Sequence, residues 1–244
     1  MEKKKRPFHV GTSGWQYGHW KGPFYPSDLP QKAFLAFYSQ RFSTVEINGS
    51  FYRLPDASAL ERWRETTPPE FLFTMKASRF ITHMKKLKDP EEPVARLTER
   101  AAVLEKKLGP ILFQLPPRWR CDLERLRSFL EVLPEGLRYA FEFRDPSWFD
   151  PRVYDLLRKR NGAFCIYELA GKRSPEVITS DFVYLRLHGP DGAYQGRYGT
   201  QGLSGLAKTV AAWAAEGKEI YCYFDNDQAG YAVQDALCLR EMLG

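Results

Sequence analysis

The sequence predicts an α/β fold of the TIM-like (β/α)8 barrel class, with parallel strands and an abbreviated sixth βα unit. Three observations predict it. Eight short runs rich in Val, Ile, Phe and Tyr recur along the chain, helical or loop-forming stretches alternate with them, and charged or amide residues recur near their C-terminal ends. Strand–helix alternation at that count is the signature of a barrel built from βα units. An open doubly wound sheet would usually need fewer strands at this length. If it bound a dinucleotide it would also carry a glycine-rich fingerprint after the first strand, which Gly11, Thr12, Ser13 and Gly14 do not supply.

The strand runs are Phe8 to Thr12, Thr44 to Asn48, Phe71 to Lys76, Ile111 to Leu115, Tyr139 to Arg144, Ala163 to Glu168, Phe182 to His188 and Ile220 to Asp225. Between the first two, Pro30 opens a helix to about Gln40. Pro55 precedes a second helix that reaches Glu65. The clearest helix runs from Glu92 to Leu108, with Val94, Leu97, Ala101, Leu104 and Leu108 at spacings of three and four, and ends at Gly109 and Pro110. Asp122 caps the next, which carries Leu123, Leu126, Phe129 and Leu130. Asp150 followed by Pro151 reads as an N-cap with proline in the first helical position. Leu203 to Ala215 and Ala229 to Met242 complete the set. Leu169 to Asp181 is too short for more than a stunted helix, since a parallel crossover takes roughly a dozen residues or more.

At 244 residues, with 43% hydrophobic and 27% charged residues, the composition is that of a folded globular chain rather than a disordered one. The length suits one large domain, expected at residues 8–244 behind a basic arm at residues 1–7. The formal charge is +6, and Glu2, Lys3, Lys4, Lys5 and Arg6 supply half of it, so the domain itself is only mildly basic. Cys121, Cys165, Cys222 and Cys238 show no CxxC pair and no zinc-ligand spacing. With no signal-like stretch at the start and no apolar run long enough to span a bilayer, a cytoplasmic protein with no membrane association is expected.

Period-two geometry locates the candidate site. Thr44, Glu46 and Asn48 share a strand face, as do Thr74 and Lys76, Glu142 and Arg144, and Arg186 and His188. Gln114 and Glu168 lie near the ends of the fourth and sixth runs, and Asp225, Asn226 and Asp227 follow the eighth. Charges inside apolar strands are costly unless paired or solvated, and barrel sites are built at the C-terminal ends of strands. Glu46, Glu142 and His188 are therefore the candidate catalytic residues. Asn48, Lys76, Gln114, Arg144, Arg186, Tyr198 and Asn226 are the candidate substrate contacts. Arginine can hold phosphate or carboxylate bidentately, so an anionic or phosphorylated small molecule is the expected ligand. Glu142, Glu168 and Asp225 supply the oxygen ligands that Mg²⁺ or Mn²⁺ would take. Acid–base carboxylate pairs of the glycosidase kind and a phosphodiesterase or nuclease remain open as hydrolase chemistries. So does a non-enzymatic module binding nucleic acid or protein, marked by an exposed stripe of cations and aromatic rings.

The segment from Gly189 to Gly199 is a glycine-rich loop with tyrosines, able to close over a ligand, but it lacks Walker spacing. Trp15, Tyr17, Trp20, Phe24 and Tyr25 form an aromatic strip, joined by Phe51 and Tyr52, that serves either packing or stacking.

The run from Val10 to Trp15 followed by Phe24, Tyr25 and Pro26 resembles the opening of the YecE-like family, domain of unknown function family 72. The match continues at 44–48, 50–55, 73–76 with 81–83, 108–117, 141–144 with 146–148, 184–189 and 223–227. The resemblance spans roughly residues 8–242 and implies a TIM-barrel-like fold, with no established activity to carry across. It also implies two departures: family members often carry aspartate where Glu168 stands and asparagine where Asp225 stands.

Overall fold

The structure, a computed structural model, describes residues 8–244, and the basic arm at residues 1–7 lies outside the described residues. Its strands are β1 (Phe8–Thr12), β2 (Thr44–Ile47), β3 (Leu72–Lys76), β4 (Leu108–Gln114), β5 (Tyr139–Glu142), β6 (Ala163–Leu169), the two-residue β7 (Lys172–Arg173), β8 (Phe182–Leu187) and β9 (Glu219–Phe224). They hydrogen-bond in the order β1-β9-β8-β6-β5-β4-β3-β2, with β7 attached to β6 alone. β1–β9, β3–β4, β4–β5, β5–β6 and β8–β9 are parallel, and the short β6–β7 ladder is antiparallel. Eight parallel strands alternating with helices make this a TIM-like (β/α)8 fold.

The helices are α1 (Phe34–Ser39), α2 (Ala57–Thr66), α3 (Glu91–Ala102), α4 (Leu123–Val132), α5 (Pro151–Lys159), α6 (Gly199–Ala215) and α7 (Tyr231–Leu243). Their starts follow local chemistry. Asp122 accepts from the Arg125 amide at 3.0 Å and Asp150 from the Arg152 amide at 2.8 Å, both as N-caps. Hydrogen bonds from Arg152 hold the Asp150 carboxyl down at about 2.

Several boundaries differ from the sequence reading. The helix expected to reach Leu108 stops at Ala102, because Glu105 takes a left-handed φ of 51° and Leu108 already pairs with Phe73. β4 therefore runs through Gly109 and Pro110. The register shifts opposite, between Phe73 and Met75, and a proline without an N–H is tolerated at such an irregularity. Gly109 is required there, since a Cβ would lie 3.1 Å from Thr74 Oγ1. The sixth βα unit is shortened further than a stunted helix. Between β6 and β8 the chain makes the β6–β7 hairpin and then runs without a helix to Asp181. Finally, β2, β5, β8 and β9 end before Asn48, Arg144, His188 and Asp225, so those four residues project from backbone just beyond the strands.

The chain divides into two compact units, one holding the residues up to Val45 with Ile166–Glu176 and Asp181–Gly244, the other Glu46–Cys165 with Val177–Ser180. In the first, Tyr25 stacks on Phe34 with ring centroids 4.0 Å apart, and Trp20, Tyr38, Val210, Val233 and Leu239 are buried. Trp15, Trp20 and Tyr25 of the aromatic strip are thus packing material. In the second, Phe143 stacks on Trp148 at 4.9 Å and Phe113 on Phe141 at 5.4 Å, behind the buried Leu126, Phe129 and Leu157 of its helices. Fully burying one such side chain contributes about 1.5–3 kcal/mol.

Candidate functional site

In the first unit β8 and β9 run in register to Leu187 and Phe224, and the Asp225 amide continues the ladder by donating to Leu187 O at 2.8 Å. That register sets Arg186, His188 and Asp225 beside one another. Asp225 Oδ2 accepts from Arg186 Nη2 at 3.2 Å and from His188 Nδ1 at 3.1 Å. His188 Nε2 lies 3.3 Å from Arg186 Nη1. A guanidinium has no acceptor, so Nε2 accepts and the ring proton sits on Nδ1, donated to Asp225. Arg186 and His188 are wholly buried, and Ser13 Oγ stands 3.5 Å from Arg186 Nη2. The trio fixes the imidazole in one tautomer with both nitrogens engaged, so in this arrangement His188 orients its neighbours.

Two tyrosine rings flank His188. Tyr167 and Tyr194 meet it edge-on at 6.4 and 5.6 Å. Tyr194 is half-exposed and its amide donates to His188 O. Its φ of 65° is unusual for a bulky residue and marks backbone held in place by its surroundings.

The loop carrying Tyr194 is tightly folded on itself. A Cβ on Gly196 would come 2.3 Å from Asp191 Oδ2, and one on Gly189 2.1 Å from Gln195 O. Tyr198 contributes scaffolding: its hydroxyl accepts from the Gly189 amide at 3.0 Å, and burial, with the Glu168 charge next, pushes its pKa up. Asp235, fully buried on α7, accepts from the Tyr198 amide, the Gly199 amide and Asn226 Nδ2 at 3.0, 3.0 and 2.8 Å. Asn226 Nδ2 also donates to Gly196 O, while its buried Oδ1 has no hydrogen-bond partner among the described residues. Asp235 was absent from the sequence reading. The available signal was a carboxylate sharing a helix face with Ala232, Ala236 and Leu239.

Glu168 pairs with Arg173 of the hairpin, Arg173 Nε to Glu168 Oε2 at 2.7 Å. Asp227 accepts from Trp20 Nε1 at 2.5 Å and faces His19 Nε2 at 3.0 Å. Burial raises its carboxyl to about 6, the Asp225 charge adding to this against the two donors.

In the second unit, Glu142 closes β5 and Arg144 follows two residues on, bonded to it through Nε and Glu142 Oε1. Glu142 is fully buried and Arg144 nearly so, and the anion partner expected for Arg144 is here its own neighbour. Lys76 ends β3 with its ammonium 4.5 Å from the Phe51 ring centroid. Gln114 ends β4 and donates to Leu115 O at 3.1 Å. Glu46 is wholly buried on β2, and Asn48 just after it keeps a buried Oδ1 without a hydrogen-bond partner among the described residues. The carboxylates offered to Mg²⁺ or Mn²⁺ each face a guanidinium: Glu142 meets Arg144, Glu168 meets Arg173 and Asp225 meets Arg186. Among the described residues no group of three or more His, Cys, Asp or Glu is placed to hold a metal ion.

The family profile described as "Protein of unknown function DUF72" matches residues 9–244. The chain belongs to the DUF72 family. Within it, the UPF0759 protein YunF of Bacillus subtilis is 27% identical over 269 residues, covering 96% of this chain and 94% of that one. The UPF0759 protein YecE of Escherichia coli is 30% identical over 145 residues, 58% of this chain and 50% of the relative. The crystal structure of a DUF72 family protein from Thermotoga maritima superposes with a TM-score of 0.88 at 30% identity, covering 96% of this chain and 98% of that one. A DUF72 protein from Enterococcus faecalis, at 20% identity and a TM-score of 0.80, shares the fold over 96% of this chain and 94% of its own. In this chain the fold sets the Arg186, His188 and Asp225 trio at two adjacent strand ends. Among the described residues no helix is long and apolar enough to cross a membrane.

Proposed function

We propose that this DUF72 protein is a cytoplasmic enzyme acting on an anionic small molecule, a phosphorylated one foremost, at the ends of β8 and β9. The observation that carries the reading is the buried trio of Arg186, His188 and Asp225 beneath a tyrosine held in left-handed backbone. Burying a guanidinium is costly unless its charge is paired, and here Asp225 pairs with Arg186 while His188 Nε2 accepts from a second arm of its fork. In this reading Arg186 meets the anion, Asp225 fixes His188, and His188 exchanges a proton with the reacting group once the anion draws Arg186 off Nε2. Tyr194 covers the site. Hydrolysis of a phosphoester is the reaction class to try first. The cytoplasmic assignment is supported by four free thiols.

Native mass spectrometry and thermal shift against a panel of phosphorylated and carboxylated metabolites test the reading. A specific anion should bind the wild type, and Arg186→Lys should weaken it about tenfold or more, since charge stays but the planar fork is lost. Tyr194→Ala, at a half-exposed position, should bind less tightly with the fold intact. A panel with no hit, or equal affinity in the folded arginine variant, would overturn it.

A further inference from the structure

Four large hydrophobic side chains are exposed among the described residues, and three of them belong to two neighbouring segments of the second unit: Tyr52 at 74%, Phe80 at 41% and Met84 at 65%. Phe51 joins these segments. Its ring meets Tyr52 edge-on at 5.0 Å and His83 edge-on at 5.0 Å. Phe80 to Met84 is a single π-helical turn, closed by the Lys85 amide to Phe80 O at 2.8 Å. Ile81 and Thr82 anchor the turn inward, leaving Phe80 and Met84 outward, one turn apart. π-Helical turns are rare and recur at functional sites.

The same segment is strongly basic. From Lys76 to Asp89 it holds Lys76, Arg79, Lys85, Lys86 and Lys88 against the one carboxylate of Asp89, and Arg53 adjoins Tyr52. Asp89 is taken by Lys85 at 3.0 Å. Arg53, Arg79, Lys86 and Lys88 are exposed, and among the described residues none of the four is ion-paired. Burial, then Lys76 and Arg79, hold the pKa of His83 down, as expected in a cationic surrounding.

We propose that this face binds single-stranded nucleic acid, with bases stacking on Tyr52 and Phe80 and phosphates met by Arg53, Arg79, Lys86 and Lys88. Charge complementarity calls for a polyanion, and the rings select its kind. Cations already stand over ring faces here, Lys76 over Phe51 at 4.5 Å and Lys85 over Phe80 at 5.9 Å, so ring and charge alternate as base and phosphate do. A bilayer-seeking face would expose Leu, Ile or Trp, and among the described residues no large side chain of those types is exposed.

Fluorescence anisotropy with labelled oligothymidylate is the test. The wild type should bind, with log K falling by about 0.7 per phosphate contact for each decade of salt. Tyr52→Ala and Phe80→Ala should each weaken binding about tenfold with unchanged melting temperature, since both rings are exposed. Arg79→Glu with Lys86→Glu should abolish it. Absence of binding at low salt would overturn the proposal. So would affinity unaffected by both aromatic variants, which would leave charge alone at work. Binding to phosphatidylglycerol vesicles but not to the oligonucleotide would overturn it in favour of a membrane surface.

Discussion

Asp227 shows how one buried side chain makes stability depend on pH. Its carboxyl is raised from 3.8 to about 6 by burial, the nearby Asp225 charge adding to the effect. A raised pKa means the folded state holds the proton more tightly than the unfolded one. The stabilisation it brings is complete below 3.8 and is lost as pH rises through about 6. Asp227→Asn keeps an oxygen to accept from Trp20 and removes the charge. It should match the wild type in melting temperature near pH 4 and exceed it at pH 8 by about 2–4 °C, the effect of roughly 1 kcal/mol in a chain of this size after allowing for solvent screening. Melts at the two pH values check this, and a gap that ignores pH would refute it. The same scale explains what sequence could and could not reveal. Parity put Glu142 and Arg144 on one face, but their bond to each other depends on rotamers that parity leaves open. Glu168 was legible as a strand-end acid, whereas its partner Arg173 comes from a hairpin that a stunted helix was expected to replace.

At the scale of elements, what local chemistry dictates was legible and what tertiary pairing dictates was not. The caps at Asp122 and Asp150 are settled within three residues and appear where expected. The start of β4 is settled by pairing with β3, so a helical spacing that included Leu108 pointed the wrong way. α6 is the instructive case. It has no side-chain cap of its own, and it begins four residues before the predicted Leu203 because Asp235 on α7 takes its first amides. A carboxylate near a helix N-terminus also faces the positive end of the dipole. Asp235→Ala should leave the Tyr198 and Gly199 amides and Asn226 Nδ2 unsatisfied, at about 1–3 kcal/mol for each donor that water cannot reach. Hydrogen exchange should then rise first across residues 189–199, since these bonds hold the loop down, and Asp235→Asn should restore part of the protection. Unchanged exchange in the alanine variant would show that the loop is held by its own glycine-tight packing instead.

At the scale of the whole molecule the fold class was legible because eight βα repeats constrain it redundantly, so losing the sixth helix did not disturb the reading. The junction of the first two strands was not legible. β1 and β2 stand at the two ends of the hydrogen-bonded order, yet within the first unit Thr44 is brought close to β1. Gly11 permits this, since a Cβ there would lie 2.3 Å from Thr44 O. The missing ladder is replaced by one buried phenol. The Thr12 amide donates to Tyr38 Oη at 3.0 Å, and Tyr38 donates onward to Thr44 O at 3.1 Å. Thr44 Oγ1 is joined in turn to Tyr223 of β9 at 2.7 Å. Burial pushes the Tyr38 pKa far up, so the hydroxyl keeps its proton to donate. Tyr38→Phe keeps the ring that stacks on Phe42 at 4.6 Å and deletes the hydroxyl, and with it the bridge and the 2.9 Å contact to Thr12 Oγ1. It strands a buried N–H and a buried C=O, and should destabilise the chain by about 2–5 kcal/mol in chemical denaturation. Phe42→Leu, which trims the stack and spares the bridge, should cost less, about 1–2 kcal/mol. If the order of the two variants is reversed, ring packing rather than the hydroxyl joins these strands.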